Sequence, residues 1–316
     1  MRKRNVVDIN DIASQHLGKA GDGSVVKPYV TPDEVDPTLL VAVPRHLNRT
    51  QYGIDDNNLP FVGFDTWNAY EVSFLLDNGY PVSGVMKIVY DSNSPAIVES
   101  KSIKLYLNSY NMVKFGNDIG TAIFDVEEQI MNDLSAALDT DVRVFLHRYD
   151  DGNELAPFRK QFERLENMVE LEKITFDAYN EDPSIIQMEE ANGSVYKVTT
   201  NALRSNCRVT NQPDWGDVYI AIEGADQTPT PASLLQYVVS MRKENHFHEE
   251  ICECIYKRLY DLYEGQEDVD IFVGCLYTRR GGIDINPVRC SNDLMLEEYA
   301  SPLSDVTEPH KKTERQ

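Results

Sequence analysis

The chain has no long hydrophobic run. None of its segments reaches the roughly 18 consecutive apolar residues of a helical membrane span, so no membrane partner is expected. It is also short of positive charge: 30 Lys and Arg stand against 52 Asp and Glu, a net charge of −22. Phosphate contacts dominate nucleic-acid affinity, and binders usually carry a basic stripe, so direct nucleic-acid binding is not expected either. A small anionic ligand needs only a few Arg and Lys converging locally. Cysteine is scarce and odd in number: Cys207, Cys252, Cys254, Cys275 and Cys290. With no apolar stretch after the basic start MRKRNVVDINDIASQHLGKAGDG, a secretory signal is absent from the pattern, and a cytoplasmic protein is expected. Most of the five thiols are then expected to be reduced and packed in the core. No GxGxxG follows a strand, so a Rossmann dinucleotide site is not indicated.

What is present is an ordinary soluble composition, 41% hydrophobic and 26% charged, over a length suited to about two domains. TWNAYEVSFLL and VSGVMKIVY alternate like strands and are joined by the turn signal Asp77-Asn78-Gly79. In ESKSIKLYLNSYN, Ile103, Leu107 and Tyr110 fall at helical spacing, with Ser100 or Ser102 as candidate cap. TAIFDVEEQIMNDLSAAL places Ile123, Val126, Ile130, Leu134 and Leu138 on one helical face, and DVRVFLHRY reads as a strand.

The second half repeats this order. GSVYKVTTNALRSNC and DVYIAIEG read as strands, and Thr230-Pro231 opens a helix over ASLLQYVVSMRK. HFHEEICECIYKRLYDLY is a second helix, with Ile251, Ile255, Leu259 and Leu262 on one face. DVDIFVGCLYTRR and GIDINPVRC are a strand pair turning at Gly281-Gly282. DVRVF and DVDIF begin at residues 141 and 268, and together with the element order they predict a tandem duplication of one α+β unit with antiparallel strands. The expected division is a polar arm over 1–36, domains over 37–160 and 161–300, and a mobile tail over 301–316.

Several residues invite chemistry. Cys207 lies in LRSNCRVTNQPDWG, and a thiolate there is a nucleophile if nearby charge favours it. Arg204 and Arg208 flank it, yet in a strand they share the face opposite Cys207. On the local sequence alone, a buried cysteine at a strand end is the favoured reading. Asp214 sits in Gln212-Pro213-Asp214-Trp215-Gly216, which reads as a turn; beside Trp215 it could serve as a proton donor or simply hold its own backbone. In NHFHEE, first-turn glutamates suit the helix dipole. His248 and Cys252 could share a metal at i, i+4, but no third ligand is evident, so no metal is expected. Glu99 opens a helix and could accept a ring N–H and an amino group from a guanine-like edge. Lys101 near that helix start, and Arg279-Arg280-Gly281-Gly282, suit phosphate.

Four stretches in order, ESKSIKLYLNSYN, SNCRVTNQPDWG, NHFHEE and YTRRGGIDINP, closely resemble the 7-cyano-7-deazaguanine reductases, the NADPH-dependent nitrile reductases of queuosine biosynthesis. VPRHLNR and NLPFVGFDTWNAYEVSFL resemble the N-terminal half of the family's long form, so the likeness runs from about residue 37 to 293. It implies tandem tunnelling-fold (T-fold) domains, antiparallel sheets with paired helices on one face, assembled as a homodimer with the active site where domains meet. It implies Cys207 as the nucleophile that forms a covalent thioimide and Asp214 as proton donor. Val98, Glu99, Ser100, His248 and Glu249 are implied as deazapurine contacts. Ser100, Lys101, Arg280 and Gly281 are implied as NADPH contacts. The alternatives are a zinc-dependent cyclohydrolase on the same fold, a non-catalytic binding protein that kept the purine pocket, and a tRNA-binding modification enzyme, which the acidity disfavours.

Overall fold

A computed structural model describes residues 34–79, 81–148, 156–157, 162–266 and 268–311. The expected arm lies outside them except for its last three residues. The described chain is a mixed α+β protein divided into two compact units: one of Met1–Leu47, Trp67–Asn153 and Arg280–Ile283, the other of Asn48–Thr66, Glu154–Arg279 and Asp284–Gln316.

In the first unit, β1 (Ala42–Pro44) pairs antiparallel with β4 (Ala96–Val98). The long strand β2 (Val62–Leu75) contributes its part from Trp67 onward and lies beside β3 (Pro81–Asp91), which pairs antiparallel with β5 (Val142–Arg148). The turn after β2 closes as its sequence predicts: Gly79 takes a φ of +85° and donates its N–H to the Leu76 carbonyl. Helix α1 (Ser100–Asn108) buries Ile103 and Leu107, and Tyr110 just beyond it is buried as well. Helix α2 (Ile119–Leu138) starts at Asp118, whose carboxylate accepts the Thr121 N–H, and buries Ala122, Val126, Ile130, Leu134 and Leu138. The buried stripe therefore begins one residue before the expected Ile123, which is half-exposed. The Tyr106 hydroxyl sits 2.7 Å from both the Tyr110 hydroxyl and the Asp133 carboxylate, tying α1 to α2.

In the second unit, β6 (Val195–Thr200) and β7 (Arg204–Cys207) lie successively along one edge of β8 (Pro213–Glu223), both antiparallel to it. The short strand β9 (Asn245–His246) pairs in parallel with β7. On the other edge of β8 run β10 (Asp270–Tyr277) and then β11 (Ile283–Cys290), which the first residues of β2 adjoin. Gly63 is needed there, because a Cβ would lie 2.0 Å from the Val288 carbonyl oxygen. Helix α3 (Pro231–Ser240) has Thr230 as cap and Pro231 at its first position, as expected. Helix α4 (His248–Leu262) turns Ile251, Ile255 and Leu259 fully inward, each burial contributing about 1.5–3 kcal/mol, while Leu262 is only half-buried. The order strand, strand, helix, helix, strand can be traced in each unit only when β1 and β4 of the first and β7, β9 and β11 of the second are set aside.

A helix that the sequence reading did not identify follows: α5 (Asp293–Ser304), with Met295, Tyr299 and Leu303 buried at four-residue spacing. The tail expected to be mobile from 301 thus begins inside a packed helix, and residues 312–316 fall outside the described ones. The sequence obscured it because only Met295, Tyr299, Ala300 and Leu303 mark its buried face and Pro302 lies in its last turn. All five cysteines are free and buried. Buried with them is an ion network: Arg289 meets Asp65 and Glu253, each at 2.9 Å, and Arg49 meets Glu253 at 2.7 Å. Both guanidinium groups also lie over the Phe61 ring. Among the described residues no helix is long and apolar enough to cross a membrane.

Candidate active site

Cys207 is the last residue of β7, 9% exposed. Its N–H donates to the Gln212 carbonyl and its carbonyl accepts the Asn211 N–H, so the loop 208–211 folds back on the strand, with Asn211 at a φ of +54°. This loop is the turn, and Asp214 lies in β8 rather than in a turn as expected. Pro213 can begin a strand, where the lost N–H is tolerated. Register then decides which side chains meet. Ser205 faces Asp214 across the β7–β8 pair, and Cys207 is two residues from Ser205, so Cys207 and Asp214 share one face. Diagonal neighbours across such a pair stand roughly 7–8 Å apart, within reach of a common small ligand. Gly216, two residues beyond Asp214, pairs with Tyr277, and a Cβ there would lie 3.2 Å from the tyrosine ring.

The start of α4 completes this face. His248 Nε2 lies 3.4 Å from Asp214 Oδ2, and the His248 ring stacks on Tyr277 with centroids 3.7 Å apart and planes 5° from parallel. Glu249 beside it is 2% exposed. In one unit, therefore, the structure brings together Cys207, Asp214 and His248, with Glu249 next in sequence. The flanking arginines have partners of their own. Arg204 donates to the Arg242 carbonyl and lies against Trp215, and Arg208 binds Glu250 Oε2 through Nε at 3.0 Å and Nη2 at 2.8 Å. Cys252, weighed with His248 as a metal pair, instead directs its thiol to the Val273 and Pro287 carbonyls.

The other candidates stand on the first unit. Glu99, not Ser100 or Ser102, caps α1: its Oε2 accepts the N–H groups of Lys101 and Ser102, both at 2.8 Å. Ser102 instead links the segment to the strand before it, donating to the Glu99 carbonyl and accepting the Val41 N–H. Glutamate is not among the favoured caps, and its second oxygen, Oε1, has the Ser100 hydroxyl at 3.3 Å. A carboxylate offers about four acceptor sites, so a capped Glu99 keeps Oε1 for a ligand in a fixed orientation. Val98, at the end of β4, is buried directly before it. The first free N–H groups of α1 are already bonded, which leaves the Lys101 side chain rather than the helix terminus to meet a phosphate.

The turn between β10 and β11 is a two-residue hairpin. Arg280 and Ile283 exchange both backbone hydrogen bonds around Gly281 and Gly282, which take φ of +57° and +83°. At Gly282 a Cβ would also meet the Glu71 carboxylate at 2.5 Å. The residue that sequence reasoning missed is Lys104: its ammonium donates to the Gly281 carbonyl at 2.5 Å and pairs with Glu71 at 3.2 Å. Lys104 is one helical turn from Ser100 and Lys101. It therefore docks the Arg280-Gly281 turn on the face of α1 that carries the other two candidate cofactor contacts. Its i, i+3 spacing from Lys101 was the available signal. A second missed residue is Glu250, whose carboxylate accepts the Phe247 N–H at 2.9 Å while holding Arg208.

A family model described as nitrile reductase, 7-cyano-7-deazaguanine-reductase N-term, matches residues 31–146, and one described as QueF-like protein matches 213–295. The NADPH-dependent 7-cyano-7-deazaguanine reductase of Colwellia psychrerythraea is 38% identical over 82% of this chain and 88% of its own length. The protein of that name from Dechloromonas aromatica is 40% identical over 84% and 87%, and that from Hahella chejuensis 37% over 91% and 97%. On these matches, which span both units, the chain belongs to the 7-cyano-7-deazaguanine reductase family.

Proposed function

We propose that this protein reduces the nitrile of 7-cyano-7-deazaguanine to the primary amine, 7-aminomethyl-7-deazaguanine, with NADPH, as a step of queuosine biosynthesis. The reading is carried by one observation: Cys207 and Asp214 share a strand face, and His248 stands 3.4 Å from the Asp214 carboxylate. The Cys207 thiolate adds to the electrophilic nitrile carbon, a C–S bond forms, and the π pair moves to nitrogen. Asp214 delivers the proton that nitrogen takes, giving a covalent thioimide. His248 lies where it can pass protons to Asp214. Two NADPH would supply the two hydrides, the four electrons that separate nitrile from amine; once the thioimide carbon has been reduced the C–S bond breaks, Cys207 leaves as the thiolate, and the imine so freed is reduced and protonated to the amine.

Assigned to deazapurine contacts are Val98, Glu99 through its Oε1, and Ser100 on the first unit, and His248 and Glu249 on the second. The residues assigned to NADPH fit an anionic cofactor in an otherwise acidic chain. Lys101 and Arg280 are cations of the first unit, and Lys104, one helical turn from Lys101, holds the Gly281 carbonyl next to Arg280. The same reading assigns the halves 37–160 and 161–300 to two tunnelling-fold domains, the chain to a homodimer and its place to the cytoplasm. The test is NADPH oxidation by the purified protein on addition of 7-cyano-7-deazaguanine. Two NADPH consumed per nitrile are expected, and no nitrile-dependent oxidation rejects the reading.

A further inference from the structure

Behind Cys207 lies a cluster of charges that the reaction just described does not use. Cys207 is paired in register with His246 in the parallel bridge between β7 and β9. Registered residues of a parallel pair point to the same face, about 5 Å apart. The burial pattern agrees, since Cys207 and His246 are both buried while their outer neighbours Asn206 and Asn245 are not. The His246 ring is held on both edges. At Nδ1 stand Arg208 Nη2 at 2.8 Å and Glu250 Oε2 at 3.2 Å; at Nε2 stand the Tyr52 hydroxyl at 2.9 Å and Glu244 Oε2 at 3.3 Å. Arg208 is fixed in turn by Asn48 Oδ1 at 2.8 Å, and Arg258 lies over the Tyr52 ring.

Charge counting gives the consequence. Glu244 and Glu250 carry two negative charges and Arg208 one positive. With an imidazolium at 246 this group is neutral; with a neutral imidazole it is −1. We propose that His246 is a positioning residue for Cys207, its imidazolium balancing Glu244 and Glu250 on the face that carries the thiol, so that the thiolate forms beside a neutral group rather than a negative one. Burial, and to a lesser degree the Arg208 guanidinium, push the imidazole toward its neutral form, but the hydrogen bonds to Glu244 and Glu250 outweigh them and the pKa is raised, so the cation persists to higher pH. The sign follows: below the His246 midpoint the thiolate is favoured, and as pH rises through that midpoint the help is lost. The proposal rests on Cys207 as the reactive thiol.

The test is iodoacetamide alkylation of the full-length protein across pH 5–10, read by mass spectrometry on the Cys207 peptide. The other four thiols are fully buried. In His246→Gln the group is locked at −1, and the midpoint of the alkylation profile is expected to rise by about one pH unit. A folded variant with an unchanged midpoint overturns the proposal. If the variant lacks a cooperative melt, the wild-type profile decides. Coupling to His246 gives two inflections, and a single inflection overturns the proposal. Iodoacetamide does not depend on the nitrile, so a protein inactive on 7-cyano-7-deazaguanine would refute the function without deciding this point.

Discussion

Helices α1 and α4 both carry glutamate at their start, as the cap of α1 and in the first turn of α4, and they use it differently. At α1 a single residue, Glu99, is cap and candidate ligand at once: one carboxylate oxygen closes the helix and the other stays available. At α4 the tasks are divided among neighbours. Glu250 accepts the Phe247 N–H and neutralises Arg208, which leaves His248 to approach Asp214 and Glu249 to remain buried at the helix start. The difference teaches that an acidic residue in a first helical turn has no single meaning. Its role is fixed by which backbone donors the other residues of that turn have already satisfied.

The division can be broken by substitution. The largest effect is expected outside both helix starts: Asp214→Asn should lower kcat by roughly 10²–10⁴ while the dissociation constant for the deazapurine changes little, checked by steady-state kinetics and calorimetry. Next come the adjacent glutamates of α4, which should behave oppositely. Glu250→Gln leaves Arg208 and His246 without their buried counter-charge and should cost about 3 kcal/mol in urea unfolding. Glu249→Gln should cost under about 1 kcal/mol of stability yet weaken deazapurine binding roughly tenfold or more. At α1 the two tasks should separate within one residue. Glu99→Gln keeps an acceptor for the cap and loses affinity, roughly 10- to 100-fold; Glu99→Ala should lose that affinity and about 1 kcal/mol of stability as well. The smallest effect is expected at Arg280→Ala, a rise of roughly tenfold in KM for NADPH that shrinks with added salt.

Much of this was legible in the sequence because it rests on short-range rules. The Thr230-Pro231 helix start, the Asp77-Asn78-Gly79 turn and the inward stripe of α4 follow from local pattern, and the tyrosine contacts of α1 only add to its helical spacing. The motifs around Cys207 and Asp214 were visible as motifs. That the two share a strand face was not, since it depends on the turn ending at Gln212 and on the β7–β8 register. Partners distant in sequence were hidden altogether. Nothing local announces that Arg208 belongs to Glu250 and Asn48 rather than to Cys207, that Lys104 holds the Gly281 carbonyl, or that Arg289 is neutralised by Asp65 and Glu253. Glu99 was read as a ligand with a serine as cap, because glutamate is a poor cap by propensity; the structure shows that the same carboxylate is the cap.

The central claim is that Cys207 forms a covalent bond to the nitrile carbon. It is tested most directly by intact-protein mass spectrometry of wild type and Cys207→Ala mixed with 7-cyano-7-deazaguanine in the absence of NADPH. The expected result is a mass gain of one ligand in wild type only, discharged when NADPH is added. An adduct of equal yield in Cys207→Ala, or nitrile reduction at the wild-type rate by that variant, would contradict the assignment.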